Sequence, residues 1–180
     1  MENTRKSVLI ATAVASLLTI GAAQASDSAR HEAESIANAK VSLTEAIRAA
    51  EKQGNGNAIS AEYELKGGNP AYYEVKVLSP DGQKLTKYEL SPATGKVKDA
   101  SDEKIEKLFT RLQPTSIQNA PTSLTRAIST AEARAGGKAV DAAIDRDGDQ
   151  VQYTIKVVKT DGDSEKVKVN GSDGKVASAK

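Results

Sequence analysis

The chain has no cysteine and no tryptophan, and one each of histidine, phenylalanine and methionine in 180 residues. Each absence removes a class of chemistry. Without cysteine there is no disulfide, no thiolate nucleophile and no Cys-rich zinc site. With His31 as the lone imidazole, a Ser/His/Asp or Cys/His arrangement would have to be built on a residue outside the patterned part of the chain, so His31 is expected to be a solvated surface residue. Aromatics make up 3% of residues. A core must therefore come from Ala, Val, Ile and Leu, and units of ~60 residues with so lean a core are marginal alone. The formal net charge of +1 leaves no basic excess with which to hold nucleic acid or an anionic membrane surface.

The N-terminus is patterned for export. Arg5 and Lys6 precede an apolar run from Val8 to Ile20, and Ala23-Gln24-Ala25 follows as a small-x-small cleavage site. This reads as a secretory signal peptide over residues 1–25, cut between Ala25 and Ser26. The run is shorter than the ~20 residues of a membrane span, and no cysteine follows for lipid attachment, so no stable membrane insertion is expected once it is removed. Its removal takes Glu2, Arg5 and Lys6, which brings acidic and basic residues into balance. A periplasmic or secreted location follows, with residues 26–34 as a polar lead-in.

What the chain does have is itself, twice. SIANAKVSLTEAIRAAE at 35–51 matches SIQNAPTSLTRAISTAE at 116–132 at eleven of seventeen positions. Further on, Tyr73-Glu-Val-Lys-Val77 matches Tyr153-Thr-Ile-Lys-Val157, Asp81-Gly82 matches Asp161-Gly162, and Thr94-Gly-Lys-Val97 matches Asp173-Gly-Lys-Val176. The offset falls from 81 to 80 to 79, two one-residue deletions that lie in turns. A tandem duplication explains this, with repeats at 35–100 and 116–180.

Each repeat opens with a helix, because Leu43, Ala46, Ile47 and Ala50, like Leu124, Ala127, Ile128 and Ala131, recur at i, i+3, i+4, i+7. Ser42 and Glu45 form a capping box. Arg126 takes the place of Glu45 in the second repeat, a cation at the positive end of the helix dipole, so that start is weaker. Gly54 and Gly56, or Gly136 and Gly137, are expected to end the helices. The period then changes to two. Ile59, Ala61, Tyr63 and Leu65 lead to a turn, to Tyr73, Val75 and Val77, to an Asp-Gly hairpin, and to Tyr88 and Leu90. Val140, Ala142 and Ile144, then Tyr153, Ile155 and Val157, then Val167 and Val169 repeat the scheme. Leu85 breaks phase with Tyr88 and predicts a bulge. The fold class is α+β: two tandem repeats, each one helix on a three-stranded antiparallel meander with one face open to water. Between them, residues 101–115 are expected to hold an amphipathic linker helix, with Ile105, Leu108, Phe109 and Leu112 on one face.

The order SLT-x-AI-x-x-AE, an alternating strand, Y-x-V/I-K-V, an Asp-Gly turn and x-G-K-V resembles the PepSY domain, in both copies and over most of the chain beyond residue 35. That family's units often carry Asp after the third strand; here Ser91 and Asn170 stand there, so no role resting on that carboxylate carries over. The resemblance implies a binding module without catalysis or cofactor, one that regulates or inhibits a protein partner in the envelope, a peptidase among them.

Motifs for chemistry fail on inspection. Asp145, Asp147 and Asp149 in DRDGDQ have the alternation of a calcium loop, but Gly148 and Lys156 stand at the fourth and twelfth places, where an EF-hand needs Gly at the sixth and Glu at the twelfth. Turn chemistry is the expected role, and a small-ligand or metal-ion-responsive protein using this loop is the alternative function. Gly67-Gly68 and Gly136-Gly137 lack the Lys-Ser/Thr continuation of a phosphate loop. The candidate binding residues are those the strand period places outward: Tyr72, Glu62 and Glu64 in the first repeat, and Gln152, the counterpart of Tyr72, in the second. Exposed Tyr is favoured at interfaces.

Overall fold

In the computed structural model, residues 20–66, 70–105, 113–148 and 150–180 are described. Helix α1 spans Ile20–Ala37 and α2 spans Leu43–Gly54. Strands β1 (Asn57–Glu64), β2 (Tyr72–Leu78), β3 (Leu85–Leu90) and β4 (Val97–Glu103) complete the first repeat. The second has α3 (Pro114–Gln118), α4 (Leu124–Ala135), β5 (Lys138–Asp147), β6 (Gln150–Val158), β7 (Ser164–Asn170) and β8 (Val176–Ala179).

The repeated letters have physical jobs, and both copies do them alike. Ser42 Oγ accepts from the Glu45 N–H at 3.3 Å while Glu45 Oε2 accepts from the Ser42 N–H at 2.7 Å. Ser123 Oγ accepts from the Arg126 N–H at 3.3 Å without a reciprocal carboxylate. The glutamate that closes each helical motif reaches forward: Glu51 and Glu132 each accept from a strand N–H, of Ala58 and Ala139, at 2.9 Å. The motif tyrosines pin the chain before each helix, Tyr73 Oη donating to the Val41 carbonyl and Tyr153 Oη to the Thr122 carbonyl.

Helix ends differ in detail from the pattern. The first is capped by Asn55 in the left-handed region (φ 48°), and the second by its equivalent Gly136 (φ 73°). Gly56 and Gly137 are needed for a different reason. A Cβ there would stand 2.2 Å from the Leu78 carbonyl oxygen and 2.3 Å from that of Val158, so only glycine lets the chain pass over the end of β2 or β6.

The strands form one antiparallel sheet, in the order β4-β3-β2-β1-β5-β6-β7-β8. The seam is β1 against β5, with Ala61 opposite Ala142. Both helices α2 and α4 cover one face, where Ile47, Ile128, Tyr73, Val75, Val77, Tyr153, Ile155, Val157, Val167 and Val169 are buried in a single cluster.

Three expectations need adjustment. Each meander gains a fourth strand, β4 or β8, after the Gly-Lys-Val turn; as sheet edges these strands are largely exposed and show little apolar alternation. Ser101–Glu103, expected to start the linker helix, therefore belong to β4, while Leu108, Phe109 and Leu112 lie outside the described residues. Leu85 makes no bulge against β2. It pairs in register with Leu78, and both are buried on the face away from α2, so Leu85 broke phase because it belongs to the other face. The bulges fall instead at Ala58/Ser60, Glu89/Leu90, Ala139/Asp141 and Lys168/Val169.

Candidate interaction face

The face opposite α2 and α4 carries the polar half of the alternation in β1–β3 and β5–β7. Register links its side chains across the whole sheet. From β4 to β7 one row reads Asp99, Glu89, Glu74, Glu62, Asp141, Lys156 and Lys166. Five neighbouring carboxylates thus give way to two ammonium groups.

Lysines in the next row partly answer the acidic run. Lys76 stands 3.6 Å from Glu74, and Lys87 bridges Glu74 at 3.9 Å and Glu89 at 3.5 Å. Glu62 has no ion pair among the described residues. Partial burial, and then the neighbouring Glu64, Asp141 and Glu74, push its carboxyl above the usual range, although the residue as a whole is exposed. Burial likewise raises Asp141, with Lys166 and Lys156 pulling the other way.

Tyr72 joins this region but is not free. It is half-buried, faces Glu64 across β1 and β2, and accepts a 3.2 Å hydrogen bond from Lys66 Nζ, which also stands 5.8 Å from its ring centroid. Lys66 in turn lies 3.5 Å from Glu64. Glu62, Glu64 and Tyr72 are therefore brought together. Gln152 is not with them. It sits in the other repeat between Asp145 and Asn170 and is only 5% exposed. The alternation places it on the polar face correctly, but local packing closes over it, so it offers no contact surface.

The duplication supplies an internal comparison. Glu62, Glu74, Glu89 and Asp99 have the equivalents Ala143, Thr154, Lys168 and Ser178. The apolar positions are alike in the two copies, whereas none of these four carboxylates has an acidic equivalent. The strand period already turns Glu74 outward beside Glu62, whereas Glu89 and Asp99 escaped the sequence reading because only strand pairing aligns them with that row; the signal available was their divergence from the second repeat.

Asp145 accepts from the Arg146 N–H at 2.8 Å and from Thr154 and Lys168 at 3.3 Å. Burial works to raise its carboxyl, and these partners hold it below the usual range. Gly148 (φ 60°) forms the β5–β6 turn, and Asp149 lies outside the described residues. Among the described residues no three His, Cys, Asp or Glu groups converge as metal ligands. His31 is exposed on α1. Ala25 and Ser26, the expected cleavage pair, fall within the helical span of α1, and among the described residues no helix is long and apolar enough to cross a membrane.

The family model for PepSY, the peptidase propeptide and YPEB domain, matches residues 40–100 and again 122–180. Among solved structures, the chain is similar to a Clostridium difficile 630 protein assigned as a lipoprotein, at 20% identity and a TM-score of 0.47, over 79% of this chain and 94% of that one. It is also similar to the YpmB protein from Bacillus subtilis, at 16% identity and a TM-score of 0.31, over 75% of this chain and 94% of that one. A search of curated proteins gives no match. The chain belongs to the PepSY family and carries its domain twice in tandem.

Proposed function

We propose that this protein is an exported binding module that regulates or inhibits a protein partner in the envelope, a peptidase being the first candidate, and that it performs no catalysis itself. The observation that carries the reading is the continuous polar face, where two PepSY units fuse into one sheet and present a charged row across seven strands. The family description, which names peptidase propeptides, supports a peptidase as partner. The export pattern over residues 1–25, with cleavage between Ala25 and Ser26, supports a periplasmic or secreted site of action.

Inhibition by such a face is steric and electrostatic. A β-sheet surface fills or blocks a cleft without presenting a strained, extended bond for cleavage, and its charges select the partner and speed encounter. Tyr72, Glu62 and Glu64 are the contact residues on this reading.

The test is affinity capture from an envelope extract, using the wild type beside Tyr72→Ala and Glu62→Lys variants. A partner enriched by the wild type and lost from Glu62→Lys supports the reading. Equal recovery from all three proteins, or no enrichment by any of them, overturns it.

A further inference from the structure

The two lead-in segments cross over. Helix α3, which precedes the second repeat's core helix, docks on the first repeat's β2–β3 hairpin. Its Gln118 side chain donates to the Pro80 carbonyl, and Pro114 packs where a Cβ on Gly82 would fall, 2.3 Å from Pro114 Cγ. Helix α1 does the reverse. Arg30 packs against Gly162 of the β6–β7 hairpin, within 3.1 Å of where a Cβ would stand, and Glu32 Oε2 lies 3.0 Å from Lys156 Nζ. Ile36 and Ile117, equivalent residues, are both buried.

The two devices are unequal. Helix α3 has 5 residues and α1 has 18, of which Ser26–Ala37 lie beyond the expected cleavage site. Among the described residues, the polar lead-in of α1 is held by the Arg30 contact with Gly162, the partly exposed Glu32–Lys156 pair, a 2.6 Å contact between Ser35 Oγ and Tyr63 Oη, and the buried side chains of Ala33 and Ile36. Asp27, Ser28, Arg30, His31 and Glu34 face solvent. On the side toward β1, a cleft of about 590 Å³ separates the helix from the sheet, lined by Ser28, His31, Glu32, Glu62, Tyr63 and Glu64. On its other side, Ala33 and Ile36 share a cavity with Val158, a residue of the polar face that is buried.

We propose that residues 27–37 of α1 form a releasable strap over the second repeat's share of the charged face. Seated, the strap covers Val158 and occupies Lys156; lifted, it uncovers the apolar side chain and frees the ammonium group for a partner. The partner clause rests on the function proposed above, whereas the lifting itself does not. An element with few buried side chains and a mostly solvated surface is where local opening concentrates, well below the free energy of global unfolding.

The absence of cysteine gives a clean test, since an introduced thiol is the chain's only one. Val158→Cys is placed under the strap and Val75→Cys, in the fully buried core on the opposite face, serves as the reference for global opening. Thiol labelling of the full chain under native conditions is expected to be at least about tenfold faster at Val158→Cys. Adding Glu32→Ala should speed it further and leave Val75→Cys unchanged. Labelling of Val158→Cys no faster than Val75→Cys overturns the strap. Hydrogen exchange of the unmodified chain checks the same point without any substitution: amides of 27–37 should exchange at least about tenfold faster than those of α2, and equal protection overturns it. No partner enters either assay, so a negative result removes the strap and leaves the binding reading standing.

Discussion

Ala61 lies directly opposite Ala142 across the β1–β5 seam, and the two are the same position of the duplicated unit. Ser60 then faces Ala143 and Glu62 faces Asp141, so a local two-fold axis runs between the alanines, normal to the sheet. That symmetry puts α2 and α4 on one face and leaves the other continuous. Both alanines are buried, and their small side chains let the two helices meet over the seam.

One sheet and one buried cluster imply one cooperative unit. Ile47 and Ile128 are equivalent and fully buried, and truncating either to Ala should cost about 2–5 kcal/mol. Calorimetry should show each variant lowering the same single transition. A split into two transitions, one moved and one unmoved, would show that the repeats unfold independently.

Tyr153 makes the fold sensitive to alkali. Burial pushes its hydroxyl from 10.0 up to about 12 in the folded state. The folded protein therefore holds this proton more tightly than the unfolded chain, so the contribution is fully present below pH 10 and is lost as pH rises through about 12. Tyr73 is raised in the same sense, first by burial and then by Tyr63. Tyr153→Phe leaves the Thr122 carbonyl without its donor and should cost about 1–3 kcal/mol at neutral pH. Urea unfolding at pH 8 and pH 11 should show a smaller alkaline loss for the variant than for the wild type.

Helix starts offer a gain and a loss. Ser42→Ala removes the cap of α2 and should cost about 1 kcal/mol. Arg126→Glu gives α4 the reciprocal carboxylate that α2 already has and replaces a cation at the positive helix end. Thermal melts should place Arg126→Glu above the wild type and Ser42→Ala below it.

Glu62 is a site where charge opposes stability. Because its carboxyl is raised in the folded state, its stabilising contribution exists at low pH, below the ordinary carboxylate value of 4.5, and is lost as pH rises through the folded value. Glu62→Gln should be more stable than the wild type at pH 7, with the difference shrinking toward pH 4. Denaturation midpoints across that range check the sign, and a variant less stable at pH 7 contradicts the crowding of Glu62 by Glu64, Asp141 and Glu74.

The sequence by itself determined the duplication, the two core helices α2 and α4, the hairpin turns and the inward side of most strands, but not helices α1 and α3. These depend on local chemistry: apolar spacing in Leu43–Ala50, the Ser42 cap, and the Asp-Gly turns whose Gly82 and Gly162 take positive φ. Tertiary structure alone decided three things. The β1–β5 seam is made by backbone hydrogen bonds, which any strand can offer and no side-chain pattern announces. Strands β4 and β8 lie at edges exposed to water, so burial imposed no alternation on Val97–Glu103 that could have been read. The charged row exists only because pairing carries Glu89, Glu74, Glu62 and Asp141 into line from separate strands, a register set by the packing of the opposite face.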